Sequence, residues 1–248
     1  MSASHLTSAS NTPAQAPIRI LCIGDSITRG GGFPGGYRWP LQAHLRDAGW
    51  EFLFVGGSQL NSEGMQQPFH EGHSGFRIQM IRDGAKTENS ENSPLPETLE
   101  RHRPDLVLLL IGTNDMYVGD PVECAALTEE LMDLILQSAT KPALLVGGIM
   151  PILPGLKHWG TLVPDDITDR VNAYNALLRE AATHRAAEGF ACAYADHTPA
   201  GQAPDTHVED GVHLTEAGTR RLAASWFAKL SENDWRAARI SGPDFRQG

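Results

Sequence analysis

Cysteine is scarce in this chain: Cys22, Cys124 and Cys192 are the full set, and no two of them form a C-x-x-C pair. A thiolate metal site needs clustered thiols and a disulfide framework needs an even set, so neither organises this fold. Cys22 and Cys192 fall inside apolar strand-like runs, where a thiol serves as a small core side chain. Positive charge is also short, with 20 Lys and Arg against 30 Asp and Glu and a formal net charge of -10. A diffuse acidic surface repels phosphate backbones, and the basic pieces are no longer than pairs such as Arg220-Arg221, so no nucleic-acid partner is expected. Long apolar runs are missing too. The longest aliphatic stretch, Leu106 to Ile111, is far too short to span a bilayer, so no membrane partner is expected. Residues 1–17 are polar and rich in Ser, Thr and Ala, without the apolar centre of a signal peptide. They read as a disordered leader, with the cytoplasm as the default compartment and secretion the alternative if a leader has been removed.

What is present is an ordinary globular composition, 41% hydrophobic and 20% charged, in a chain of 248 residues, enough for one α/β domain. Strand-like runs at Ile18–Ile23, Glu51–Val55, Leu106–Ile111, Ala143–Ile149 and Phe190–Tyr194 alternate with helix-like stretches at Trp39–Ala48, Pro121–Gln137, Ile167–Glu188 and Thr215–Leu230. This rotation predicts a three-layer α/β/α sandwich around a five-stranded parallel sheet occupying residues 18–231, with a polar tail over 232–248. In such sheets ligands bind at the C-terminal ends of the strands. Chemistry is therefore expected just after Ile23, Val55, Ile111, Ile149 and Tyr194.

Four short segments lie at or near such positions. Gly24-Asp25-Ser26-Ile27-Thr28 follows the first strand and offers either a nucleophilic hydroxyl or a plain helix cap. Gly112-Thr113-Asn114-Asp115 follows the third, where Asn114 either presents an amide donor to an oxyanion or closes an Asx turn. Gly72-His73-Ser74-Gly75-Phe76 ends a long Gly-, Gln-, Asn- and His-rich loop, and its glycines let backbone N–H groups approach a substrate. Asp210-Gly211-Val212-His213 precedes the last helix. A serine hydroxyl needs a base, an imidazole can serve as one near neutral pH, and a carboxylate three residues earlier can fix its tautomer. Each segment alone also reads as a turn.

Taken in this order, IGDSIT, GHSGF, IGTNDM and DGVHLTEAG resemble the blocks of the GDSL/SGNH hydrolase superfamily. The resemblance implies a carboxylic ester hydrolase with Ser26 as nucleophile, His213 as base and Asp210 as its supporting acid. It implies an oxyanion hole formed by Ser26, Gly75 and Asn114, with Gly72 the rival for Gly75. The first block departs from the family only in having Ile27 where Leu is usual. Within the superfamily, the run from His70 to Ile78 together with IGTNDM is similar to carbohydrate esterase family three, the acetyl xylan esterases and related deacetylases. That implies a small acetylated sugar or oligosaccharide as substrate, cleaved through an acyl-enzyme.

Other motifs fail on spacing. Gly30 to Gly35 matches G-x-G-x-x-G by letter but begins too far after the strand and contains Pro34, so it reads as a mobile or substrate-lining loop rather than a dinucleotide site. His70, Glu71 and His73 lack the H-E-x-x-H spacing and sit in a loop, so they read as satisfied polar residues. No G-x-S-x-G elbow is present. No cofactor and no metal are expected. The rival readings are a thioesterase or lysophospholipase of the same superfamily, and a carbohydrate-binding relative without turnover. Oligomeric state and the alcohol half of the ester stay open.

Overall fold

A strand with six of its seven residues buried must be covered on both faces, and this is the state of β1 (Ile18–Gly24), where Arg19 alone is part-exposed. The computed structural model describes residues 16–158, 161–232 and 235. Most of the leader read over 1–17 and of the tail read over 232–248 lies outside the described residues.

β1 pairs in parallel with β2 (Phe52–Val55) on one side and with β3 (Leu106–Leu110) on the other. β3 continues to β4 (Ala143–Gly147), and β4 to β5 (Cys192–Ala195), also in parallel. The order is β2-β1-β3-β4-β5. A two-residue strand, Glu71–Gly72, adds to β1 beyond the end of β2 as a sixth member that the sequence pattern does not reveal. Its register aligns Gly72 with Gly24, while β3 aligns Leu110 with the same Gly24. The tip of β1 is therefore flanked on both sides at the point where the strand order reverses, the crevice in which such sheets bind ligands.

The described residues also hold two small antiparallel pairs, Ala85–Lys86 with Glu91–Asn92 and Lys157–His158 with Thr161–Leu162, and eight helices: α1 (Ser26–Arg29), α2 (Arg38–Asp47), α3 (Ile78–Asp83), α4 (Leu95–His102), α5 (Pro121–Leu136), α6 (Ile167–Ala187), α7 (Thr198–Gly201) and α8 (Glu216–Glu232). α2 packs on α8 in one layer, and α5 packs on α3, α4 and α6 in the other. Trp226 of α8 is fully buried and meets the ring of Tyr37 at 5.8 Å between centroids. No helix of the described residues is long and apolar enough to cross a membrane.

Element ends differ from the sequence pattern where side chains take over backbone partners. β4 stops at Gly147, not Ile149, because the Asn175 amide accepts the Ile149 N–H and donates to its carbonyl, each at 2.9 Å. β3 stops at Leu110, and the Ile111 carbonyl instead accepts the Tyr174 hydroxyl at 3.0 Å. Phe190 closes α6 by donating its N–H to the Arg185 carbonyl, so β5 begins two residues later than its apolar run. α4 has no counterpart in the sequence reading. Its prolines, Pro94 and Pro96, sit at the cap and in the first turn, where no intrahelical N–H is missed.

Candidate active site

Asp25 leaves β1 and caps α1: its Oδ1 accepts the Ile27 N–H at 2.9 Å. Ser26 is thereby relieved of the capping role that its position allows. Its hydroxyl meets His213 instead, with Ser26 Oγ 2.8 Å from His213 Nε2. The other ring nitrogen, Nδ1, lies 2.6 Å from Asp210 Oδ2. Asp210 Oδ1 accepts the N–H groups of Val212 and His213, both at 2.9 Å. Burial works against the Asp210 carboxylate, but these hydrogen bonds outweigh it and hold its pKa below the usual 3.8. A carboxylate kept ionised at Nδ1 fixes the proton there and leaves Nε2 as the acceptor facing Ser26. Ser26 and His213 are 6% and 8% exposed, so little water competes for this contact.

Asn114 follows β3 and donates one amide N–H to the Phe76 carbonyl at 2.9 Å. A side-chain amide has two such hydrogens, and the second is left for another acceptor. The bond ties Asn114 to the turn that carries Gly75, whose φ of 77° is the left-handed conformation glycine favours. That turn is held at its start as well, where the His73 N–H donates to the Gly24 carbonyl at 2.9 Å. Gly72 serves packing instead. A Cβ there would stand 2.3 Å from the Arg29 backbone nitrogen, so Gly72 is where its short strand and α1 touch.

Three surrounding residues take parts that no sequence motif assigns to them. Asp115 accepts the Ile78 N–H and so fastens α3. Burial pushes its pKa up to about 6, opposed by that N–H and by Arg77 and reinforced by Asp25. Burial also raises the Tyr117 hydroxyl pKa, with further increments from the charges of Asp210 and Asp25. Arg38 is fully buried and donates to the carbonyls of Thr28 at 2.8 Å, Arg29 at 3.1 Å and Pro68 at 3.2 Å, and to Ser62 Oγ at 3.0 Å. It clamps the end of α1, the helix that Ser26 opens, to the long loop. Burial lowers its pKa to about 10, so it remains a cation at neutral pH.

The histidine cluster of the long loop is spent on protein partners. His70 Nδ1 accepts the Gly72 N–H and Nε2 meets the Leu60 carbonyl, both at 2.9 Å. His73 lies between Glu71 Oε2 at 2.9 Å and Ser90 Oγ at 3.0 Å, and Glu71 Oε1 accepts the Gly57 N–H. Among the described residues no group of three or more His, Cys, Asp or Glu could hold a metal ion. The glycine run after α1, read as a mobile or substrate-lining loop, is tied down at several points. Asn61 donates its side-chain amide to the Gly30 carbonyl at 2.7 Å and accepts the Gly35 N–H on its own carbonyl at 2.5 Å, and the run packs against His213.

A parallel sheet of this order, with a serine at the tip of its first strand and an imidazole delivered from the loop before the last helix, is the architecture of the SGNH hydrolases. Residues 22–221 match the GDSL-like Lipase/Acylhydrolase family, and the chain belongs to it. It is 27% identical over 242 residues to a multidomain esterase of Ruminococcus flavefaciens, covering 92% of this chain and 30% of that protein. The chain thus spans under a third of that curated relative. Among solved structures, a family 3 carbohydrate esterase of Clostridium thermocellum superposes with a TM-score of 0.71 at 26% identity, covering 91% of this chain and all of that one. A carbohydrate esterase family 3 protein of Talaromyces cellulolyticus shares the fold, with a TM-score of 0.69 at 19% identity, and covers 91% of this chain and 100% of its own.

Proposed function

We propose that this chain is a serine esterase that removes short acyl groups, acetyl foremost, from acetylated carbohydrate. The single observation that carries the reading is the hydrogen-bonded series Ser26 Oγ, His213 Nε2 and Nδ1, Asp210 Oδ2, with contacts of 2.8 and 2.6 Å. Ser26 Oγ attacks the ester carbonyl carbon as its proton passes to His213 Nε2. The carbonyl oxygen becomes an oxyanion, received by the backbone N–H groups of Ser26 and Gly75 and by the second amide hydrogen of Asn114. The C–O bond to the alcohol breaks and His213 returns the proton to the departing oxygen. Water then attacks the acyl-Ser26 ester, losing a proton to His213. Acetate leaves, and the Ser26 hydroxyl is restored.

The acetyl-sugar assignment is supported by the HEGHSGF segment and by the likeness to family 3 carbohydrate esterases. A panel of p-nitrophenyl esters from acetate to decanoate, run beside acetylated xylo-oligosaccharides, tests it. Turnover is expected to be greatest on acetate and to extend to the acetylated sugars. A maximum at octanoate or longer would replace this reading with that of a thioesterase or lysophospholipase. Binding of the oligosaccharides without release of acetate would replace it with that of a carbohydrate-binding relative.

A further inference from the structure

We infer that the glycine loop after α1, and Gly31 above all, sets the distance between His213 and Ser26 and is a positioning element of the reaction. The inference rests on the reading of Ser26 and His213 as nucleophile and base.

Asp210 orients the imidazole but cannot by itself dock it. It lies on the same short loop as His213, and its bonds to Val212 N–H, His213 N–H and His213 Nδ1 all close within that loop. These bonds set the ring's orientation within the loop, and contacts from other segments set the loop's placement against the sheet. Away from the ring, the Leu153 N–H donates to the Gly211 carbonyl and the Val208 N–H to the His213 carbonyl, each at 2.9 Å. Against the Cδ2–Nε2 edge of the ring, the edge that meets Ser26, lies Gly31.

A Cβ on Gly31 would stand 2.4 Å from His213 Cδ2 and 2.8 Å from Nε2, and one on Gly32 would stand 2.4 Å from the Leu214 carbonyl oxygen and 3.2 Å from His213 Cβ. No side chain fits at either position while the imidazole keeps its place. The same Gly31 is tied to the nucleophile's own backbone, because the Ser26 carbonyl accepts the Gly31 N–H at 2.7 Å and the Gly30 N–H at 3.0 Å. One peptide thus touches the base on one side and is bonded to the nucleophile on the other, which fixes the spacing between them. Asn61 fastens the loop from outside through Gly30 and Gly35.

Ordinary carbon contacts begin near 3.5 Å, so a methyl at Gly31 displaces the ring by about 1 Å. That carries the 2.8 Å Ser26–His213 contact past hydrogen-bond range. A misplacement of this size costs on the order of a hundred-fold in rate.

The test measures kcat, KM and thermal midpoint on p-nitrophenyl acetate for wild type, Gly31→Ala, Asn61→Ala and Ser26→Ala. Gly31→Ala is expected to lose about a hundred-fold in kcat, with KM nearly unchanged and a folded thermal transition. Asn61→Ala keeps the glycine but releases the loop, and is expected to lose kcat to a smaller degree. If Gly31→Ala does not fold, Asn61→Ala decides alone, by a fall in kcat at constant KM. Wild-type kcat in the folded variants overturns the inference. So does a rise in KM with kcat intact, which would assign the loop to substrate binding. Full activity of Ser26→Ala would instead remove the nucleophile assignment beneath it, an outcome distinct from either.

Discussion

The Asp25 carboxylate accepts the Ile27 N–H at 2.9 Å and so caps the helix in which Ser26 is the first residue. The turn that carries Ser26 is held by its neighbour, and the Ser26 hydroxyl stays available to His213. Asp25→Ala is expected to lower stability by about 1 kcal/mol in urea unfolding. Asp25→Ser, which restores a capping oxygen, is expected to recover more than half of the loss. Equal stability of Asp25→Ala and wild type would contradict this role.

Asn114 donates one amide hydrogen to the Phe76 carbonyl, and the proposed mechanism gives the second to the oxyanion. Asn114→Ala is expected to lower kcat by about a hundred- to a thousand-fold with a much smaller change in KM, because the lost donor matters most in the transition state. Steady-state kinetics on p-nitrophenyl acetate check it. A loss confined to KM would place Asn114 in ground-state binding.

In the proposed mechanism Asp210 acts through the tautomer of His213. In Asp210→Asn, an amide N–H turned toward Nδ1 forces the ring proton onto Nε2, where it blocks proton transfer from Ser26. By analogy with the serine-protease triad, the expected loss in kcat at neutral pH is on the order of ten-thousand-fold. Asp210→Ala removes the carboxylate without imposing the wrong tautomer and is expected to lose less. The two variants compared at one pH decide the point, and an Asn variant faster than the Ala variant contradicts it.

Asp115 gives stability a pH dependence of known sign. Burial raises its pKa from 3.8 to about 6 in the folded chain. Between those values the native state holds a proton that the unfolded chain has released. Its contribution is therefore fully present below about pH 4 and is lost as pH rises through about 6. Urea unfolding of wild type and Asp115→Asn at pH 4 and pH 7 isolates it. Relative to the Asn variant, wild type is expected to lose up to about 3 kcal/mol on going to the higher pH. A slope of the opposite sign would contradict the assignment.

The central sheet and the Ser26, Asp210 and His213 positions are legible in the sequence because each carries a local signature. Buried parallel strands read as unbroken apolar runs, and D-x-x-H places acid and base on one loop without tertiary help. Gly31 and Arg38 are not legible, because what they do depends on partners far off in sequence. A glycine run gives no sign that an imidazole from the other end of the chain will rest on it. An arginine in R-W-P-L gives no sign that it will be buried among the carbonyls of Thr28, Arg29 and Pro68. The ends of β3 and β4 differ from their apolar runs for a similar reason, since Tyr174 and Asn175 of α6 claim backbone groups that would otherwise extend the ladder.

Covalent labelling with a fluorophosphonate, followed by peptide mass mapping, tests the central assignment most directly. The expected result is one adduct on Ser26 in the wild-type protein, with labelling abolished in Ser26→Ala and strongly slowed in His213→Ala. A native protein that stays unlabelled, or an adduct that persists in Ser26→Ala, would contradict it.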